Sequence, residues 1–303
     1  MQKKIPNFFI MGPPKCASTS LFYYLNQHND VFLSPLKETH FFSINYNRGL
    51  DWFLDKYFNN AKDERIIGES TPTYSYLGYS LLRINKFFPK AKLLYSFRNP
   101  VERAYSAWLM RIQQGTETLS FEKALEANLE QRKNMISFYD INFESMWVKE
   151  SKHIDKKNKL KIRSYIEAGL YSEMIEFAYS IFNNEQIKVV FLEDLKLDTE
   201  TTIASIFKFL GVNDNFKIDL SEQNVYKVHS LATLYNFFGR KNVRKFGSFV
   251  PKGFKNAGKR VLVKAAAKPR ITEDQKRFAY QYFMDDIEKL EIIMKRPLAH
   301  WKY

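Results

Sequence analysis

The sequence predicts an α/β fold: a three-layer domain with a central, mainly parallel β-sheet flanked by helices. Three observations predict it. Short apolar runs such as Ile5–Met11 and Lys92–Phe97 have the length and composition of strands buried on both faces. Such runs end in turn residues and give way to segments with helical periodicity. The strand-then-helix order recurs along the chain, as it does in βαβ units.

Element by element, Ile5–Met11 reads as a strand ended by Gly12-Pro13-Pro14. Ser18–Gln27 is a helix, with Ser18 or Thr19 near its start and Leu21, Tyr24 and Leu25 on one face. Ile66–Gly68 is a short strand. Lys92–Phe97 is a strand, and the helix Pro100–Gln113 follows it with proline in its first turn. Phe121–Lys133 is a helix. Tyr171–Asn183 is another, leading into the strand Ile187–Leu192. Thr199–Leu210 is a helix stopped by Gly211. Thr272–Lys295 closes the chain as one long helix. In a sheet of this kind ligands bind beyond the carboxyl ends of the strands.

The chain has 303 residues, enough for one sizeable domain, 1–303, with acceptor-side insertions expected near 112–168 and 229–270. With 45% hydrophobic and 16% aromatic residues, the composition builds a core and excludes a disordered chain. The net charge of +14 calls for an anionic partner: nucleotide, nucleic acid, acidic glycan or anionic membrane surface. Cys16 is the single cysteine, so no intramolecular disulfide can form. Ile5–Met11 is too short for a secretory apolar region, and no window approaches the roughly 20 apolar residues of a membrane span. The expectation is a soluble cytoplasmic protein. Two stretches are strongly basic: Glu150–Ser164, and Arg240–Arg270 with eleven Lys or Arg and no Asp or Glu. They read as solvated loops or as surfaces that receive an anion.

Gly12-Pro13-Pro14-Lys15-Cys16-Ala17-Ser18-Thr19-Ser20 lies between a strand and a helix. A loop so placed aims backbone N–H groups and a helix N-terminus at a phosphate, and Lys15 adds a full charge. It is not a nucleotide-triphosphatase loop, which needs Gly-Lys-Ser/Thr at its end. No convincing Asp for a magnesium site follows a later strand. The bland alternative is an ordinary strand–turn–helix connection. The second motif puts Arg98 at a strand end and Ser106 on the helix after it, a pair able to hold another phosphate. Its bland alternative has Arg98 capping the strand and Arg103 in a surface ion pair.

Together the motifs resemble those of the sulfotransferase family that uses 3′-phosphoadenosine 5′-phosphosulfate (PAPS), above all its carbohydrate and heparan-sulfate branch and bacterial relatives. Lys15 in Gly-Pro-Pro-Lys-Cys-Ala-Ser-Thr is similar to the 5′-phosphosulfate loop, and Arg98 and Ser106 to the residues holding the 3′-phosphate. The resemblance continues through Lys37-Glu38-Thr39-His40-Phe41-Phe42, Gly68-Glu69-Ser70-Thr71-Pro72-Thr73-Tyr74, Gly169-Leu170-Tyr171, Phe191-Leu192-Glu193-Asp194-Leu195, Phe209-Leu210-Gly211-Val212 and Pro297-Leu298-Ala299-His300-Trp301. It implies a P-loop-like fold and PAPS as co-substrate. The donor would be bound by Lys15, Cys16, Ala17, Ser18, Thr19, Ser20, Arg98 and Ser106. Glu38 resembles the general base of the glycan branch. His40 is the alternative, since the small-molecule branch uses histidine. The acceptor would be a saccharide or a small molecule, with an anionic glycan among the candidates.

The chain departs from that branch at Ser70, where lysine is usual, and at Ala17, where glycine is usual. The Ala17 backbone must therefore avoid positive φ or bear strain. Glu69 and Thr71–Tyr74 are expected on the acceptor side. The disulfide-braced nucleotide loop of the heparan-sulfate enzymes has no counterpart, and Lys252-Gly253 is a weak substitute. His28 reads as a helix-ending residue and His229 as structural or exposed. No His/Cys/Asp cluster has metal-ligand spacing, so no metal is expected. Two rival readings stand beside this one: a metal-dependent kinase, which lacks its motif, and a basic nucleic-acid or surface binder, which lacks any recognition signature.

Overall fold

The computed structural model describes residues 3–152, 162–220 and 269–303. His229, Lys252-Gly253, most of Arg240–Arg270 and Lys156, Lys157, Lys159 and Lys161 lie outside the described residues.

The described elements are β1 (Phe8–Gly12), α1 (Ser18–Leu25), β2 (Val31–Leu33), α2 (Leu50–Tyr57), β3 (Ile66–Ser70), α3 (Gly78–Phe87), β4 (Lys92–Phe97), α4 (Pro100–Gln113), α5 (Phe121–Lys133), α6 (Phe143–Lys152), α7 (Tyr171–Tyr179), β5 (Ile187–Phe191), α8 (Leu192–Leu197), α9 (Thr199–Leu210), α10 (Glu273–Tyr280) and α11 (Met284–Met294). The strands form one sheet in the order β2-β3-β1-β4-β5. Every pairing is parallel. All carboxyl ends therefore point the same way, and the loops after β1, β3 and β4 open side by side.

The strands carry apolar side chains on both faces because both faces are covered. Phe8 and Ile10 of β1, with Leu94 of β4 and Val190 of β5, pack under α1 and α9. Phe9 and Met11, with Leu93, Tyr95 and Phe97 of β4, face the larger core beneath α3, α4 and α7. That core also takes in Phe283, Ile287, Leu290 and Trp301, so the terminal segment packs on the same centre as the sheet.

β4, α4, α5 and α9 have the bounds that periodicity predicts. α4 begins at a true cap: Asn99 Oδ1 accepts the N–H groups of Val101 (3.0 Å) and Glu102 (3.3 Å). α9 ends at Gly211, whose φ of 82° is the left-handed stop glycine permits.

Four expectations need correction. The long terminal helix is two helices, α10 and α11, broken at residues 281–283. No Gly or Pro marks the break; burial of the Phe283 ring against Gly169 turns the chain. Arg103 is not a surface residue but is 1% exposed, donating to the Tyr165 carbonyl. Arg163 is not a free cation of the basic stretch, because its guanidinium pairs with both oxygens of buried Glu117 at 2.9 and 3.0 Å. His28 does not end the helix: α1 stops at Leu25, and His28 is buried in the turn beyond it, its Nδ1 accepting from the Asp30 N–H (3.0 Å) and its Nε2 lying 3.1 Å from the Asn213 carbonyl.

Candidate active site

Residues 12–17 leave β1 and enter α1 through a backbone that alternates in hand. Gly12, Lys15 and Ala17 have φ values of 92°, 75° and 66°. Left-handed residues alternating with ordinary ones turn successive N–H groups into one concavity, which suits an anion. Glycine is required at position 12, since a Cβ there would lie 2.6 Å from Cβ of Pro72. Ala17 does bear the strain that the sequence left open. α1 starts with no side-chain cap and no acid in its first turn. Its leading N–H groups and positive dipole end are thus offered to a ligand. Ser18 is buried at that end. The side chain of Lys15 lies along α4, with Nζ 3.9 Å from Met110 Sδ.

The loop is anchored from below. Ser96 Oγ donates to the Cys16 carbonyl at 2.6 Å. The Cys16 thiol is fully buried, and that burial pushes it up to about 11. It stays protonated, so Cys16 can serve an anion only through its backbone.

Arg98 leaves the carboxyl end of β4 beside this loop. Its guanidinium is held by Glu102, with Nη2 2.7 Å from Oε2. Glu102 and Ser106 lie four residues apart on α4 and share one face. Arg98, Glu102 and Ser106 therefore line up, with Ser106 one turn beyond the ion pair. An incoming phosphate on this face would meet the guanidinium and the hydroxyl, and would compete with Glu102.

Glu38 and His40 approach from the other side of β1. The Glu38 N–H donates to the Ser70 carbonyl at the end of β3 (2.9 Å). Ser70 pairs with Ile10, two residues before the 12–17 loop. One strand spacing is ~4.8 Å, so the Glu38 backbone lies on the order of 10 Å from β1. Glu38 and His40 both take left-handed φ values, 66° and 51°. The Glu38 carboxylate meets Lys37 Nζ at 2.8 Å and His40 Nε2 at 3.7 Å. Burial lowers His40 below its usual range; Glu38 opposes this and Lys37 adds to it. The imidazole is neutral at pH 7, and Ser43 Oγ lies 3.4 Å from its Nδ1.

Under this segment is a buried carboxyl whose burial the sequence did not show. Glu69 is fully buried. Its Oε2 accepts from Thr39 (2.6 Å) and Thr71 (2.7 Å), while its Oε1 has no partner among the described residues. Burial raises it to about 7, partly offset by those hydroxyls. The expectation that Glu69 and Thr71–Tyr74 face the acceptor is corrected: Glu69, Thr71, Pro72 and Tyr74 are buried, and Thr73 alone is partly exposed. Ser70 Oγ is also buried and unpaired among the described residues, so it does not stand in for a lysine.

The end of the chain closes the site from behind. Glu193 Oε1 accepts from the Asn99 N–H (3.2 Å) and from Trp301 Nε1 (3.1 Å). Arg296 forks onto Asp194, with Nη2 2.7 Å from Oδ1. The Glu193-Asp194 and Trp301 segments, far apart in sequence, thus brace the turn that carries Arg98. Among the described residues no group of three or more His, Cys, Asp or Glu could hold a metal ion. None of the described helices is long and apolar enough to cross a membrane.

Compared with known proteins, residues 6–289 match a family model described as "Sulfotransferase domain". The chain is 24% identical over 304 residues to the membrane-associated sulfotransferase kil1 of Dictyostelium discoideum, covering 80% of this chain and 64% of that protein. It is 25% identical over 223 residues to the bifunctional heparan sulfate N-deacetylase/N-sulfotransferase 4 of Mus musculus, covering 70% of this chain and 23% of that one. Against the human carbohydrate sulfotransferase 15 it is 24% identical over 254 residues, 69% of this chain and 44% of that one. The chain thus spans less than two-thirds of the length of these relatives. Its fold is similar to the crystal structure of a sulfotransferase from Alicyclobacillus acidocaldarius, with a TM-score of 0.69, 25% identity and coverage of 98% of this chain and 99% of that one.

Proposed function

The chain belongs to the sulfotransferase domain family, and on that premise we propose that it transfers the sulfuryl group of PAPS to a hydroxyl or amine of a saccharide acceptor. The observation that carries the reading is the uncapped N-terminus of α1 behind a loop of alternating hand, with Arg98 and Ser106 on one side and Glu38 on the other. A saccharide acceptor is favoured by the carbohydrate and heparan-sulfate relatives. A cytoplasmic location belongs to the same proposal and rests on the single cysteine. So does a single domain over 1–303 with acceptor-side insertions near 112–168 and 229–270.

In the proposed reaction the acceptor oxygen or nitrogen attacks sulfur in line. The bond from sulfur to the bridging oxygen of the 5′-phosphate breaks, and the acceptor proton passes to Glu38. The products are the sulfated acceptor and 3′-phosphoadenosine 5′-phosphate (PAP). Charge grows on the leaving phosphate, where Lys15 and the first N–H groups of α1 stabilise it. Glu38 is placed for this role because its carboxylate is accessible to solvent and is held in position by Lys37 Nζ at 2.8 Å. Arg98 and Ser106 grip the 3′-phosphate equally in ground and transition states, so they contribute affinity rather than rate.

Calorimetric titration with PAP, without magnesium, tests the reading. The wild type is expected to bind in the micromolar range. Arg98→Ala should weaken binding at least about tenfold, since a charge-assisted contact contributes about 1.5–3 kcal/mol. A folded wild type that does not bind PAP overturns the reading.

A further inference from the structure

Tyr171 is not used in the reaction above, yet its hydroxyl lies between the two loops that would hold the donor. We propose that Tyr171 is a positioning residue that couples these loops, so that a nucleotide bearing both 3′- and 5′-phosphates binds better than its two ends would separately. This rests on the reading of the site as a PAPS site.

The hydroxyl donates to the Arg98 carbonyl at 2.8 Å. Its oxygen also lies 3.7 Å from Cys16 Sγ, in the middle of the 12–17 loop. The phenolic hydrogen goes to Arg98, so the thiol is the donor in the second contact. Burial holds the phenol far above its usual range and the thiol at about 11, so both keep their protons at neutral pH. Tyr171 is thus a fixed link between a residue of the 5′-side loop and the residue that carries the 3′-side guanidinium. Ser96, through its bond to the Cys16 carbonyl, ties the same two regions a second time.

The link is rigid because Tyr171 is itself immobilised. Its ring is fully buried and stacks on Phe97, centroids 4.3 Å apart and planes 11° from parallel. Trp301 meets it edge-on at 6.0 Å. Its backbone is fixed by Asp286 of α11, which accepts the N–H of Tyr171 (2.7 Å) and of Ser172 (3.0 Å) at the start of α7. An acid at a helix N-terminus is favourable, and here it comes from a segment over a hundred residues away in sequence. The Gly-Leu-Tyr stretch therefore joins the end of the chain to the donor site.

Tyr171→Phe removes the hydroxyl and keeps the ring. Titration at 25 °C, on variants shown to be folded at that temperature, compares PAP with adenosine 5′-phosphate and adenosine 3′-phosphate, which each engage one loop. The expected result is a five- to tenfold weaker PAP affinity, from about 1 kcal/mol for one hydrogen bond, with less than twofold change for the two monophosphates. Ser96→Ala, which cuts the second tie, should act in the same way, and it covers the case of a Tyr171→Phe protein that does not fold. A lowered melting temperature with unchanged PAP affinity would mean a structural role only and overturns the proposal. So does an equal loss for all three nucleotides. A wild type that fails to bind PAP overturns the donor site itself, and this role with it.

Discussion

Thr39 Oγ1 stands 2.6 Å from Glu69 Oε2, and this bond ties the proposed catalytic segment to the end of β3. Thr39 lies between two left-handed residues, Glu38 and His40. A backbone in that conformation is held by its surroundings rather than by its own preference. Thr39 also lies 3.3 Å from the Tyr74 hydroxyl, which accepts the Phe42 N–H at 3.1 Å. The buried carboxyl is thus the hub around which the segment is wound.

Glu69 gives the protein a pH-dependent stability. Burial raises its folded-state pKa to about 7 from the ordinary 4.5. A carboxyl raised on folding stabilises fully below about 4.5, and that stabilisation is lost as pH climbs toward 7. The span amounts to roughly 3 kcal/mol at most. Glu167 and Asp286 are also raised by burial, to about 7 and about 6. Only the difference between wild type and Glu69→Gln therefore isolates Glu69. Urea unfolding at pH 5 and pH 8 should show a smaller loss of stability in Glu69→Gln. An identical loss in both proteins would mean that Glu69 does not change protonation on folding.

Glu38→Gln should lower kcat by about 10²- to 10⁴-fold with little change in PAP affinity, the effect expected of a lost general base. His40→Asn should cost far less, because the imidazole contacts Glu38 at 3.7 Å rather than taking the proton. Turnover of PAPS to PAP with a desulfated heparan polysaccharide as acceptor measures both. The reverse order of severity would assign the base to His40.

Ala17→Gly should leave stability unchanged or raise it by about 0.5 kcal/mol. A left-handed non-glycine residue costs about 1–2 kcal/mol, which offsets the glycine entropy of about 0.4–1 kcal/mol. Ala124→Gly, at a buried position inside α5, should instead cost about 1 kcal/mol or more. Chemical denaturation of the two variants checks the contrast, and comparable losses would show that Ala17 is not strained.

Much of this site is legible in the sequence because its parts are local. Strand, turn and helix around Lys15, and strand, cap and helix around Arg98, are written in consecutive residues, and the elements appear with few shifts. The errors lie where partners are distant. Arg103 reads as a surface cation because nothing in its helix shows that Tyr165 and a buried core await it. The terminal helix reads as continuous because its propensity is helical throughout, while the break answers to Phe283 and Gly169. Glu69 reads as an acceptor-side acid because its burial is set by the packing of β3 between β2 and β1.

The sequence by itself determined the fold class, the strand–loop–helix around Lys15, the Arg98–Ser106 spacing and the candidate bases, since periodicity, turn chemistry and motif spacing are properties of neighbours along the chain. Only the tertiary structure decided that Cys16, Tyr171 and Arg98 form one chain of contacts and that Thr39 rests on Glu69. These contacts join residues 30 to 155 positions apart. They exist because the parallel sheet sets all its carboxyl ends side by side and the core forces the later helices against them.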